Sequence, residues 1–160
     1  MKSTNGIELI TASLDYPELN MVKYDGINSI ITFEIALISE KVDEQKLFER
    51  ELNKCLNTYD KLRGVEPITR YIKTKSIRGL CLISFHRDIE TVNREELKLF
   101  IKLANSFLSE FLIKNDLNYP DAINNKQLKR SLLDQIYKGS KTKSSYLVYR
   151  QNGRVIFHNR

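Results

Sequence analysis

The sequence predicts a single α+β domain in which a mostly antiparallel β-sheet is covered by two or three helices. Short segments with apolar residues at every second position alternate with longer segments whose apolar residues have helical spacing. In chain order these are strand, strand, helix, strand, strand, helix, helix, strand and strand. Because 160 residues fit one domain of ordinary size, we treat residues 1–160 as one domain, in which residues 140–160 form a basic linker and a C-terminal β-hairpin.

Two segments near the N-terminus have the pattern of strands. Residues 7–10, with the sequence IELI, form the first, and residues 28–39 form the second. The second alternates at period two, so that Thr32 and Glu34 lie opposite an apolar face made of Ile31, Phe33, Ile35 and Leu37. We therefore expect one face of the sheet to meet the core and the other to be partly exposed to water.

A helix is predicted from Asp43 onward, because the apolar period changes there. Gly64 follows the last apolar position and is the residue type that a left-handed C-cap prefers. The predicted apolar stripe consists of Phe48, Leu52, Cys55, Leu56, Tyr59 and Leu62.

Two further strands are predicted after Pro67, which disfavours a renewed helix. They cover residues 68–76 and 78–87 and are joined near Gly79. Residues 80–85 are apolar on both faces apart from Ser84, which is typical of a central strand.

The second helix begins at a predicted capping box formed by Asn93 and Glu96. Its apolar stripe is Leu97, Phe100, Ile101, Ala104, Phe107, Leu108 and Phe111, which indicates a helix that covers the sheet. A third helix is predicted over residues 128–139, with its apolar positions at Leu128, Leu132, Leu133 and Ile136.

The chain closes on a predicted β-hairpin. Asn152-Gly153 is the dipeptide that type I′ turns favour, and it places Gln151 opposite Arg154 and Tyr149 opposite Ile156. The register then assigns Leu147, Tyr149, Ile156 and His158 to one face, and Tyr146, Val148, Val155 and Phe157 to the other.

Two topologies are compatible with this order of elements. The middle portion, strand, helix, strand, strand, helix, is the beginning of a ferredoxin-like arrangement that the hairpin would complete. The alternative is an antiparallel sheet of another topology with its helices on one face, as in longin-like or profilin-like folds.

Positive charge is concentrated in the last quarter of the chain. Residues 126–160 carry nine basic side chains and one acidic side chain, within a chain whose net charge is +6. Such asymmetry attracts polyanions, and interleaved aromatic rings stack on bases. The nucleic-acid-binding candidates are Lys138, Lys141, Lys143, Tyr149, Arg150, Arg154 and Arg160, with Arg70, Lys73, Lys75 and Arg78 as a second basic segment on a predicted edge strand. The competing interpretation is a solvated surface whose lysines protect a sheet edge.

The favoured function is that of a small non-catalytic binding or regulatory protein, of the adaptor or immunity type. Such a protein needs only an exposed apolar face or sheet edge, and the closing hairpin offers Tyr146, Val148 and Phe157. The expected partner is another protein or a second copy of the chain. Nucleic acid bound through Arg150, Arg154 and the interleaved aromatics is the first alternative.

Enzymatic function receives less support from the sequence. It has no glycine-rich phosphate loop, HExxH, CxxC or nucleophile elbow, so we expect no cofactor, no metal and no catalytic residue. A metal-independent ribonuclease that uses His86 and His158 as acid and base, helped by Arg154 or Tyr149, is the second alternative.

The cysteines and the hydropathy pattern indicate a cytoplasmic protein without membrane contact. Cys55 and Cys81 fall at apolar positions, where free thiols behave as small hydrophobic side chains. We find neither a targeting segment nor an apolar stretch of about 18 residues.

Overall fold

The computed structural model describes residues 8–114, 146–151 and 154–159. The predicted α+β class is confirmed, because six strands form one antiparallel sheet in the order β3-β4-β2-β1-β5-β6 and helices pack against it. The elements are α1 (residues 8–12), a 3₁₀ turn (Ser13–Asp15), β1 (Leu19–Asp25), β2 (Ile30–Leu37), α2 (Val42–Arg63), β3 (Arg70–Ile77), β4 (Leu80–Asp88), α3 (Arg94–Leu108), β5 (Tyr146–Gln151) and β6 (Arg154–Asn159).

The prediction of a strand in the N-terminal segment IELI is wrong. Residues 8–12 are helical, and Leu9 and Ile10 are buried in the core. Three apolar residues in a segment of four do not distinguish a buried strand from a buried helical turn. The first strand is instead β1. Its sequence lacks a clear strand pattern, because Val22 is the one buried apolar side chain between Asn20 and Asp25.

The centre of the sheet is formed by β2 and β4, which pair along their lengths from Ile30 opposite Asp88 to Leu37 opposite Cys81. This confirms residues 80–85 as part of a central strand. The predicted apolar face of β2 is also confirmed, since its four members are fully buried: Ile31, Phe33, Ile35 and Leu37.

Helices α2 and α3 cover this apolar face. The ring of Phe100 in α3 lies 5.8 Å from the ring of Phe48 in α2 and 5.2 Å from that of Phe85 in β4. Phe100 therefore joins both helices to the central strands. In α2, Phe48, Leu52 and Leu56 are fully buried as predicted.

The C-terminal half of the predicted α2 stripe is less buried than expected. Leu62 is 82% exposed, and Cys55 and Tyr59 are only half-buried, because the buried stripe of α2 runs at every fourth position through Leu56 to Asp60. Gly64 has φ 67° and its amide donates to the carbonyl oxygens of Asp60 and Lys61, which confirms the left-handed cap.

The capping box of α3 is confirmed. The Asn93 side chain accepts from the amide of Glu96, and the Glu96 carboxylate accepts from the amide of Asn93. The helix ends at Leu108, so Phe111 lies beyond it, and both Phe107 and Phe111 are only partly buried.

The C-terminal hairpin joins the sheet through β1. Its predicted register is confirmed, with Tyr149 opposite Ile156 and Gln151 opposite Arg154, and Val148 pairs with Val22 of β1. The turn dipeptide and the helix predicted over residues 128–139 lie outside the described residues.

The order of the strands neither confirms nor contradicts a ferredoxin-like arrangement. As in that arrangement, β4 lies between β2 and β3. However, β1 separates β2 from the closing hairpin.

Candidate functional site

The face of the sheet opposite α2 and α3 carries mostly polar side chains in β2, β3 and β4. Paired residues on antiparallel strands project to the same face, so the register aligns these side chains into rows across the sheet. We call this surface the polar face. Its rows are Tyr71, His86, Thr32, Lys23 and Leu147; then Lys73, Ser84, Glu34, Met21 and Tyr149; and then Lys75, Leu82 and Ala36.

Two aromatic rings stack at one end of the first row. The rings of Tyr71 and His86 are 4.4 Å apart between centroids and lie within 12° of parallel. Tyr71 remains 41% exposed, and the ammonium group of Lys73 lies 5.5 Å from its ring centroid. The pair forms a flat, partly accessible π surface, and the Lys73 cation lies over the Tyr71 ring.

His86 is held in its orientation by β2. Its Nδ1 and the Thr32 hydroxyl oxygen share a hydrogen bond of 3.0 Å. Burial, together with the positive charges of Lys73 and Lys23, lowers the pKa of His86 to about 4. The imidazole is therefore neutral at pH 7, and its enclosed Nε2 has no hydrogen-bond partner in the described structure.

A carboxylate lies in the interior of the polar face. Glu34 Oε2 accepts a hydrogen bond of 2.8 Å from the Asn20 side-chain amide. Burial raises the pKa of the Glu34 carboxyl, although the Asn20 hydrogen bond and the charge of Lys75 act in the opposite direction. No other acidic side chain occurs in the three rows defined above.

Exposed cations surround the stacked rings. Lys73 and Lys75 project from β3, and Lys23 projects from β1. The turn between β3 and β4 adds Arg78, which is exposed and adopts φ 49°. Within the described strands, β3 forms one edge of the sheet, as predicted.

Arg70 does not belong to this basic surface. It pairs with Arg87 in the β3–β4 register, on the helix side of the sheet, and it binds Asp60 and Asn57 of α2. It is part of a network of charges between α2, β4 and the start of α3 that also includes Arg63, Asp88 and Glu96. Each of these ions has an oppositely charged partner, which indicates a structural role.

Apart from the polar face, a concave region lies at the C-terminal end of α2. It is a groove of about 620 Å³ lined by Asn57, Asp60, Lys61, Gly64, Val65, Glu66 and Pro67. Asp60, its buried carboxylate, is already bound by Arg63 and Arg70. The buried carboxylate of the groove is therefore engaged by cations of the protein itself.

Only some of the sequence-predicted site residues have described side chains. Tyr149 lies on the polar face, half-buried, and Val148 is a core residue with 3% exposure, so Val148 is not accessible to a partner in the single chain. The structure describes only the backbone of Tyr146, Arg150, Arg154 and Phe157. Lys138, Lys141, Lys143 and Arg160 lie outside the described residues.

The geometry does not bring the two histidines together. The paired positions run from His86 through Thr32, Lys23 and Leu147 to His158, which places four strand spacings between their backbones. At about 4.8 Å for each spacing, this is about 19 Å. An acid and a base acting on one phosphodiester must both reach it within hydrogen-bond distance, so this separation does not support the ribonuclease alternative.

Some members of the polar face could have been identified from the sequence. The alternation in RYIKTK assigns Tyr71, Lys73 and Lys75 to one face of a strand. The contacts of Thr32 with His86 and of Asn20 with Glu34 join residues far apart in the chain, and no local pattern predicts them.

The described residues contain no group of His, Cys, Asp and Glu that could hold a metal ion. No helix in the described part of the chain is long and apolar enough to span a membrane. No protein-family model, no curated protein and no solved structure matches this chain. The function is therefore argued from the geometry of the polar face.

Proposed function

We propose that this chain is a non-catalytic binding protein that holds single-stranded nucleic acid on the polar face. The stacked rings of Tyr71 and His86, with Lys73 beside them, are the observation that carries the proposal. Aromatic rings on such surfaces stack on unpaired bases, and neighbouring cations bind the phosphates.

The exposure of the rings favours a single strand over a duplex. In a duplex the bases stack on each other, so a protein ring reaches a base face only where the strand is unpaired. Tyr71 keeps 41% of its surface exposed on an edge strand, where an extended strand has access to it. His86 supports the ring from one side and is neutral at pH 7, so it adds stacking without a fixed charge.

The distribution of cations supports the same ligand. Lys73 and Lys75 lie on one side of His86, and Lys23 lies on the other, two strands away. The β5–β6 hairpin belongs to the basic last quarter of the chain and continues the same sheet through β1. Among the described side chains, positive charge therefore lies on both sides of the stacked rings, on β3 and on β1.

The test is the salt dependence of binding to a labelled single-stranded oligonucleotide of mixed sequence. Each lost phosphate contact reduces the slope of log affinity against log salt by about 0.7 for single strands. We expect the variant with Lys73→Gln and Lys75→Gln to lose about 1.4 from this slope, for two contacts. The matched control changes Lys46→Gln and Lys54→Gln, two exposed lysines of α2.

Binding must also depend on the stacked rings. Tyr71→Ala should weaken binding by about 1 to 3 kcal/mol, the range found for base stacking, while duplex DNA of the same sequence binds more weakly than the single strand. Absence of binding at low salt, or equal slopes in the two double-lysine variants, would refute the proposal.

A protein partner or a second copy remains a second candidate ligand, because apolar side chains are exposed at the end of the β3–β4 hairpin. Ile77 and Leu80 are paired across the hairpin and are 38% and 40% exposed. If this tip mediates self-association, light scattering should give a dimer mass that falls to the monomer value in a variant with Ile77→Ser and Leu80→Ser. A monomer mass in the unchanged protein would exclude self-association.

A further inference from the structure

We infer that Glu34 determines which bases the polar face accepts, and that it favours bases with an exocyclic amino group. This inference rests on the proposed nucleic-acid function and adds the ligand's base preference to it. It depends on the position of Glu34, on how its carboxylate is held, and on the chemistry of the base edges.

Glu34 lies midway between the two ends of its row. Lys73 is two strands away on one side and Tyr149 is two strands away on the other. Each of these distances is about 10 Å. A strand that binds Lys73 and crosses the sheet towards Tyr149 therefore passes over the Glu34 carboxylate, and one that starts from Tyr71 passes between Glu34 and Thr32.

A carboxylate at this place opposes phosphate binding. The neighbouring lysines attract the backbone of the ligand, so Glu34 repels phosphates from the middle of the face and leaves that position to a base. Ser84 and Met21, which flank Glu34 in the row, carry no charge.

The carboxylate is held by a bulge in β1. The pairing of β1 with β2 is irregular between Leu19 and Met21, and the intervening Asn20 donates to Glu34 Oε2 at 2.8 Å. Bulges commonly re-aim a side chain in this way. This bond engages Oε2, and Oε1 is the second acceptor that the carboxylate offers to a donor on a ligand. Partial burial of the carboxyl, which raises its pKa, also reduces competition from water for such a bond.

An ionised carboxylate only accepts hydrogen bonds, so it distinguishes bases by their donors. Cytosine, adenine and guanine each carry an amino group, and Glu or Asp accepting from cytosine N4 is an established contact. Uracil has no amino group, and the carbonyl oxygens on both sides of its single N–H repel a carboxylate. The polar face should therefore bind cytidine and adenosine strands more tightly than uridine strands.

The experiment compares oligomers of cytidine, adenosine and uridine of equal length. We expect the unchanged protein to bind the cytidine oligomer about tenfold more tightly than the uridine oligomer, in line with one discriminating base contact. Glu34→Gln should bring the two affinities within about threefold, mainly by tightening the uridine complex, because the amide can donate to a carbonyl. Glu110→Gln removes the same charge from an exposed position outside the sheet and should keep the preference.

Asn20→Ala provides a second variant in case Glu34→Gln unfolds, since it keeps the carboxylate but removes the bond that holds it. The preference for cytidine should again decrease. Tight binding of all three oligomers with equal affinity would overturn the role of Glu34 and leave the proposed function intact. Absence of binding to every oligomer would overturn the proposed function itself.

Discussion

Arg87 and Glu96 form a fully buried, bidentate ion pair between β4 and α3. Nε of Arg87 donates to Oε1 at 2.9 Å and Nη2 donates to Oε2 at 3.0 Å. The remaining donors of the guanidinium bind the Thr69 carbonyl oxygen, Asp88 and the Thr91 hydroxyl. Glu96 also closes the capping box of α3. This pair therefore links the end of a central strand to the start of the helix that covers it.

Removal of one partner should destabilise the fold strongly. Glu96→Ala leaves the Arg87 cation buried without its main counterion, and we expect a loss of about 3 to 5 kcal/mol in the free energy of unfolding. Asn93→Ala removes the other half of the capping box and a hydrogen bond to the Tyr59 hydroxyl, and it should cost about 1 to 2 kcal/mol. Urea denaturation measures both, and equal losses in the two variants would contradict this role of the ion pair.

Phe100 should contribute more to stability than Phe107, although the sequence places both on one apolar stripe. Phe100 is fully buried and contacts the rings of Phe48 and Phe85, whereas Phe107 is only partly buried. We expect Phe100→Ala to cost about 3 to 5 kcal/mol, as large truncations in packed cores do, and Phe107→Ala to cost less. The denaturation midpoints of the two variants test this ranking, and the reverse order would show that α3 is rotated on the sheet.

His86 should make the protein less stable in mild acid. Its pKa is about 4 in the folded protein and 6.5 ordinarily, so between these values the unfolded chain binds a proton that the folded protein does not. The free energy of unfolding therefore decreases as the pH falls from 6.5 towards 4. Solvent screening reduces the size of this effect, because His86 is only half-buried.

His86→Gln should flatten the pH dependence of stability in this window. All other titrating groups are common to the two proteins, so the difference between their denaturation midpoints isolates His86. If the denaturation midpoints of the two proteins changed in parallel between pH 6.5 and 4, His86 would have the same pKa in the folded and unfolded chains, which would contradict this prediction.

Arg78 occupies a backbone conformation that other residue types adopt more easily. Its φ of 49° lies in the left-handed region, next to Gly79 at 84° in the turn between β3 and β4. Arg78→Asn should raise the free energy of unfolding by about 1 kcal/mol, because asparagine tolerates this region. It should also weaken oligonucleotide binding and reduce the salt slope by about 0.7 if Arg78 contacts one phosphate.

Ser29 provides the matched control, since it has φ 56° in the turn between β1 and β2 and carries no charge. Ser29→Asn should stabilise the protein and leave oligonucleotide binding unchanged. Equal binding by the two variants would show that Arg78 contributes nothing to the ligand surface.

Local patterns were sufficient to predict most elements and several details of them. The strand over residues 28–39, the capping box at Asn93, the cap at Gly64 and the register of the closing hairpin depend on residues near one another in the chain. The N-terminal helix and β1 were not predicted, because IELI has no decisive period and β1 buries few apolar side chains.

The sequence by itself determined the α+β class, the pairing of neighbouring strands and the alternation of Tyr71, Lys73 and Lys75, because these follow from propensity and period over short distances. Only the tertiary structure decided the order in which β1, β2 and the two hairpins lie side by side. It placed β4 between β2 and β3, which brought His86 to Thr32, and it separated His86 from His158 by four strand spacings. The order of strands in a sheet depends on the packing of distant segments, and a local pattern does not encode it.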